Sequence, residues 1–459
     1  MSLDVVENAK VSRFHRKLIA ACSGGPLLDG YLLSVIGVAL PGLSGELELT
    51  DGTAAAIGVV ALVGMFLGGL VVGPLTDLFG RRAMYTIDLA VLLVSSVACV
   101  FVAEAWQLLV LRFVIGFAIG ADYPIATSLL AEWCPREQRG RALGLVIVAW
   151  YLGAMLAYCA GYLIEALAGP GGWRWTLGSA ALLSAIVLAL RHGTPESPRW
   201  LVGKGRVEEA RKLLEQVLDA RVSDADLAGV SDDVKRGSVM ALFRGVYLRR
   251  TMFVTIFYTC QVIPMWAILI FGPQLLSAFG FDSPSLSLFG SALISALFLL
   301  GCLPALRVLE SAGRRKAIIW SFALMVVPLV VLGVWVQAPV WVVIGCFCLY
   351  AFFAGAPGIL EWLYPNELFP TAIRASAVGM AVALSRIGAA AGTYLVPVSL
   401  DHLGVAPTMF IGAAITVAGL VACVAWAEET KGRSLEESSA SGVTGTGTPD
   451  VRKVRSTLP

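Results

Sequence analysis

The chain has 459 residues, of which 58% are hydrophobic and only 14% charged, and its 34 Lys and Arg nearly balance its 32 Asp and Glu. Soluble domains keep about a quarter of their residues charged to wet their surface. This composition therefore excludes an ordinary water-soluble protein, and the net charge of +2 excludes a strongly basic nucleic-acid binder.

A bilayer core is crossed by about 20 apolar helical residues. Twelve stretches reach that length: roughly 18–40, 53–75, 83–103, 106–131, 141–164, 173–191, 250–278, 284–308, 316–337, 339–364, 371–399 and 404–427. The basic flank "RFHRK" runs straight into the first stretch with no small-residue cleavage site, which reads as a retained anchor. The first stretch carries Asp29, and "DLFGRR" follows the second. The fourth carries Arg112, with Gly116 and Gly120 following at a spacing that permits close helix packing, and Asp122. Residues 192–249 are charged and hold "KGRVEEARKLLEQVLDARV", an amphipathic helical pattern. "ESAGRR", which begins at Glu310, follows the eighth stretch. Glu361 lies in the tenth stretch and Arg386 in the eleventh. Beyond Thr430 the sequence falls to low complexity. The predicted organisation is a cytoplasmic N-terminus (1–17), a six-helix bundle (18–191), a cytoplasmic linker (192–249), a second bundle (250–427) and a largely disordered cytoplasmic tail (428–459).

Two phrases are written twice. Glu132, Pro135, Arg139 and Gly144 return 235 positions later as Glu367, Pro370, Arg374 and Gly379. "DLFGRR" returns as "ESAGRR" 233 positions later. Nearly equal offsets imply a duplicated unit. Parallel six-helix repeats, related by an axis along the membrane normal, form a transporter architecture with the substrate site at mid-membrane between them. The predicted fold is all-α, twelve transmembrane helices in two pseudo-symmetric bundles. With the N-terminus inside, all Lys and Arg but Arg112, Arg174 and Arg386 fall in cytoplasmic segments or at their edges, as the positive-inside rule asks. This predicts a multi-pass protein of the cell membrane, monomeric, with both termini cytoplasmic and with lipid and a small-molecule substrate as its partners.

Charges within the spans are few: Asp29, Asp88, Arg112, Asp122, Glu361 and Arg386. Each costs about 2.5–3.5 kcal/mol at the bilayer centre, so they should face the bundle interior or a watery cavity. Desolvation penalises the charged form of a carboxyl, which lets such acids exchange protons near neutral pH. His15, His192 and His402 lie outside the spans, so the expected proton carriers are carboxylates: Asp29 first, then Asp122 and Glu361. A purely structural role remains open for each. Arg386 suits a substrate carboxylate or phosphate, or alternatively neutralises Glu361 or Asp29; Arg112 reads as structural. Tyr31, Tyr123, Gln261, Trp266 and Trp362 are candidate cavity walls, although aromatics in spans also face lipid. At the cytoplasmic ends, Glu132, Glu310 and Glu367 can face Arg81, Arg82, Arg139, Arg314, Arg315 and Arg374. Placed across the halves, these pairs would latch the inner side, each giving ~0–1 kcal/mol if exposed. No phosphate-cradling loop, GxSxG elbow or HExxH occurs, so neither an enzyme nor a metal or organic cofactor is expected; the proton is the coupling ion.

"GPLTDLFGRR", "PESPRWL" and "EETKGRSLEE" are similar to marks of the major facilitator superfamily and its sugar-porter branch, and the resemblance spans residues 15–437. "LLDGYLLSVIGVALP" and "GADYPIATSLLAEW" resemble metabolite:proton symporters. The resemblance implies alternating access and adds Asp77 and Glu196 to the cytoplasmic network. It places Asp29 and Asp122 where related symporters carry acids, and Arg386 where organic-anion members carry an arginine. Two departures stand out. Leu32 occupies the site of a second acid, and Gln261 stands without the paired glutamines of sugar porters. The expected function is proton-coupled symport of an organic acid, sugar acid, sugar or polyol. A proton-driven efflux antiporter or a uniporter is the alternative within transport, and a nutrient receptor the alternative outside it.

Overall fold

The structure, a computed structural model, describes residues 12–191, 193–218, 222, 239–280, 283–369 and 371–431. Six long helices come first: α1 (Arg13–Glu46), α2 (Asp51–Phe79), α3 (Arg81–Cys99), α4 (Ala105–Trp133), α5 (Arg136–Ala168) and α6 (Trp173–Arg191). Two short ones, α7 (Pro198–Gly203) and α8 (Val207–Leu218), cover the start of the charged linker. The second set is α9 (Gly245–Ala278), α10 (Pro284–Ser311), α11 (Arg314–Val334), α12 (Val340–Phe353), α13 (Gly355–Leu368), α14 (Thr371–His402) and α15 (Val405–Trp426). Among the described residues, twelve helical segments are long and apolar enough to cross a membrane, with α12 and α13 together forming the tenth.

Small residues set the closest crossings. A side chain on Gly30 would strike the Trp150 carbonyl, and one on Gly153 would strike that of Leu27, so α1 and α5 meet backbone to backbone. Gly116 and Gly120 do the same for α4 against Ala61 and Met65 of α2, the role their spacing predicts. The halves touch through α1 with α9, α2 with α14, and α5 with α10.

Two helices break where the sequence reads as continuous. The tenth crossing parts at Ala354, where Gly301 of α10 lies against Phe352 and Gly355. In α9, Phe271 leaves helical geometry (φ −106°, ψ 20°) two residues before Pro273. Proline has no N–H to give the carbonyl four residues back, which here is that of Leu269. The Tyr158 hydroxyl, from the opposite half, donates to that carbonyl instead.

The duplication is visible in atomic detail. Gly80 (φ 95°) and Gly313 (φ 93°) turn the chain into α3 and α11 through backbone that L side chains rarely adopt. Glu196 accepts from the N–H groups of Arg81 (3.0 Å) and Arg82 (3.2 Å), and Glu429 from those of Arg314 (3.0 Å) and Arg315 (3.2 Å). All four pairs of positions differ by the 233 residues that separate the repeated loop phrases. Each carboxylate thus caps the positive end of a helix.

Candidate functional site

Between the halves lies a small cavity walled by α5 (Val146, Trp150, Tyr151), α9 (Tyr258, Trp266), α13 (Glu361, Trp362) and Arg386 of α14. It holds about 40 Å³, room for a few waters at most. Its aromatic wall is ordered: Trp150 meets Trp266 edge-on at 5.4 Å, and Tyr151 stacks on Phe298 at 5.5 Å while donating to Met265 Sδ at 3.3 Å. Arg386 lies 5.7 Å from the Trp266 ring.

Arg386 and Glu361 are each only 6% exposed. Arg386 Nε, Glu361 Oε1, Tyr258 Oη and Trp266 Nε1 have no hydrogen-bond partner among the described residues. Buried polar atoms are almost always paired. Four unpaired ones around one hollow, three able to donate and one to accept, form a cradle for a polar molecule.

Behind this cavity, inside the first half, three carboxylates converge. Asp29 is fully buried, with both oxygens unpartnered among the described residues, and lies within electrostatic reach of Asp122, Asp88, Arg191 and Arg386. Asp122 Oδ1 accepts from Arg191 Nη2 at 2.9 Å. The guanidinium also donates to the Ala21 carbonyl and rests 3.0 Å from the Tyr85 ring centroid. Any side chain at Gly25 would collide with this ion pair, so the glycine is what lets α1 approach it.

The predicted residues sort as follows. Glu361, Trp266, Trp362 and Arg386 line the cavity. Gln261 is fully buried beside it, its Nε2 3.6 Å from Met265 Sδ. Tyr31 does not belong to the wall: it turns into its own half, its hydroxyl 2.5 Å from Ser179 Oγ of α6. Arg112, read from the sequence as structural, is buried and donates to the Leu32 carbonyl at 2.7 Å. Sequence reading missed Arg191, because it ends an apolar run and looks like an interfacial charge. It also missed Trp150, Tyr151 and Tyr258, which nothing in the pattern separates from lipid-facing rings. The side chain of Tyr123 lies outside the described residues.

Of the predicted cytoplasmic latch, the contacts made by described side chains run within a half. Arg314 pairs with Glu367 at 3.1 Å, and Glu196 serves Arg81 and Arg82; both contacts lie within one half. Arg315 reaches the Val424 carbonyl, also in its own half, and Glu310 is exposed. The side chains of Asp77, Glu132, Arg139 and Arg374 lie outside the described residues. On the opposite side the halves meet where Tyr158 reaches Leu269 and Gly37 lies against the Ile270 carbonyl. The start of the tail is packed. Glu428 forks onto the buried Arg250 at 2.7 and 3.0 Å, and Thr430 hydrogen-bonds Glu367, so residues 428–431 dock on the second half. Residues beyond 431 lie outside the described ones.

The sugar (and other) transporter family matches residues 17–441 of the chain. The chain belongs to this family, a branch of the major facilitator superfamily. It is 42% identical to the putative metabolite transport protein YaaU of Escherichia coli, over 96% of this chain and 98% of that one. It is 35% identical to the inner membrane metabolite transport protein YgcS of the same organism, over 93% and 94%. In fold, this transporter resembles the E. coli xylose transporter XylE in a partially occluded inward-open conformation. The TM-score is 0.81 at 22% identity, covering 92% of this chain and 100% of that one. The structure of XylE described as a proton:xylose symporter bound to 6-bromo-6-deoxy-D-glucose superposes with a TM-score of 0.77 over 94% and 99%. The transporter is thus a multi-pass membrane protein and not an enzyme.

Proposed function

We propose that this transporter is a proton-coupled symporter of the cell membrane, with both termini cytoplasmic, carrying a small hydroxylated metabolite inward, an organic or sugar acid above other sugars and polyols. The observation that carries the reading is the cavity at the seam, with Arg386 and Glu361 facing it and unpaired atoms on both. Arg386 supplies a charged donor for a carboxylate or hydroxyl. Glu361 accepts a substrate hydroxyl when ionised and donates to it when protonated, so its charge state alters what the cavity holds.

Asp29 is the coupling group in this reading. It lies within electrostatic reach of both Arg386 and the Asp122–Arg191 pair, so its proton alters the electrostatic balance between the halves. Protonation permits the loaded cavity to close, and the halves rock to expose it on the other side. The room of about 40 Å³ is too small for a metabolite, so loading requires the halves to part. An inward proton falling through 100 mV supplies about 2.3 kcal/mol, roughly a fifty-fold accumulation at 1.36 kcal/mol per decade.

The test begins with a thermal-shift screen of organic acids, sugar acids, sugars and polyols on the purified chain. Uptake of the stabilising compound into proteoliposomes follows. Accumulation driven by an inward proton gradient and abolished by a protonophore supports symport. Uptake that survives the protonophore means a uniporter, proton-driven loss of internal substrate means an antiporter, and binding without flux means a receptor.

A further inference from the structure

A second hollow lies wholly within the first half and takes no part in the seam. It holds about 340 Å³, space for some ten waters, between Arg82, Tyr85 and Thr86 of α3, Leu188 and Arg191 of α6, and Thr194 just beyond. Its rim is open, since Arg82, Thr86 and Gly193 are exposed. It stands where α3 begins and α6 ends, the face that the positive-inside rule assigns to the cytoplasm. Its floor is Arg191, whose other side holds Asp122.

The groups facing that floor come from every helix around it: Asp29 and Cys22 from α1, Tyr85 and Asp88 from α3, and Asp122 from α4. Asp122 Oδ2 and both oxygens of Asp88 are buried and unpartnered among the described residues. Ionisable groups within electrostatic reach of one another therefore run from Arg386 at the seam, through Asp29 and Asp122 with Asp88, to Arg191 and the hollow.

We infer that protons leave for the cytoplasm through this hollow in the first half, with Arg191 as its plug, while the substrate leaves through the seam. The inference rests on the proton-coupled reading and assigns the two cargoes different exits. In the described state Arg191 is held by Asp122 and stacked on Tyr85, which keeps water in the hollow from Asp122. When the proton arriving by way of Asp29 transfers to the Asp122 carboxylate, the ion pair loses its charge partner. Arg191 then moves into the hollow, water reaches Asp122, and the proton passes to that water. The carboxylate so restored draws Arg191 back.

The test needs no substrate. The purified full chain is reconstituted into liposomes containing the pH dye pyranine, and a valinomycin-set potassium potential pulls protons inward. The wild type should stay proton-tight, whereas Arg191→Ala and Arg191→Gln should leak. Adding Thr86→Cys to either variant should let the impermeant cationic thiol reagent MTSET stop the leak through molecules whose cytoplasmic face is outside. The same reagent should leave the leak unchanged without that cysteine, despite the native cysteines. Absence of a leak in both variants, once each elutes and melts as folded protein, overturns the inference. So does a leak indifferent to the reagent at position 86. Metabolite uptake that ignores a protonophore sinks the symport reading itself. Proton-driven uptake combined with an unblockable leak sinks only the separate exit.

Discussion

At Asp29 a carboxylate with no direct cation sits among three other charged groups of its own half, and its neutral replacement isolates what the charge does. Asp29→Asn should retain substrate binding and exchange but lose the roughly fifty-fold accumulation that a 100 mV gradient supports. Comparing counterflow with gradient-driven uptake in proteoliposomes checks this; undiminished accumulation removes Asp29 from the mechanism. Arg386→Gln keeps the side chain's polarity but not its charge. Charged hydrogen bonds contribute about 1.5–3 kcal/mol, so affinity for an acidic substrate should fall some ten- to hundred-fold in a binding titration, with a smaller loss for a neutral polyol. Outside the membrane, Glu429 carries the pH dependence. Burial raises its pKa, but the N–H groups of Lys431, Arg314 and Arg315 and the Arg314 charge outweigh that, holding it below 4.5. A depressed carboxyl stabilises the fold above its ordinary pKa and loses that contribution as pH falls through the folded value. Melting curves should therefore show wild type losing more stability below pH 4.5 than Glu429→Gln does, and equal losses would contradict the cap.

Among the helices, α9 is the one whose sequence forces a functional shape. Pro273 leaves the Leu269 carbonyl without its helical donor, and Tyr158 fills the vacancy from the other half. Tyr158→Phe strands that buried carbonyl at a cost of about 1–3 kcal/mol in the state with this seam closed. The conformational equilibrium should shift about five- to 150-fold toward the opposite state. Labelling a single cysteine placed near Leu269 with an impermeant reagent should accelerate accordingly. Unchanged labelling would mean the contact does not hold the seam. Tight crossings are the other property of the elements. Gly153→Val should melt early, because α1 and α5 touch there by backbone and overpacking costs about 1–3 kcal/mol.

For the molecule as a whole, the length and spacing of the apolar runs set twelve crossings, and two repeated phrases mark two equivalent halves. That part was legible because lipid imposes a length on every crossing, whatever it packs against. The equivalence reaches the atoms: Glu196 over α3 and Glu429 over α11 are the same contact made twice. Of the candidate site, the rare charges were legible for a similar reason, since each costs free energy in lipid and must be explained. The aromatic wall was not, because a ring facing a cavity and a ring facing lipid look alike in a span that is apolar all round.

The sequence by itself thus determined the membrane, the helix count, the duplication and the short roster of buried charges, all set by the chain's local need to satisfy lipid. Only the tertiary structure decided which charges meet. It paired Asp122 with Arg191 across 69 positions and Arg250 with Glu428 across 178. It kept Arg314 and Glu367 within one half, and it gave Tyr158 to the carbonyl that Pro273 had freed. Partners so far apart along the chain are fixed by the packing of whole helices, and no local pattern records them.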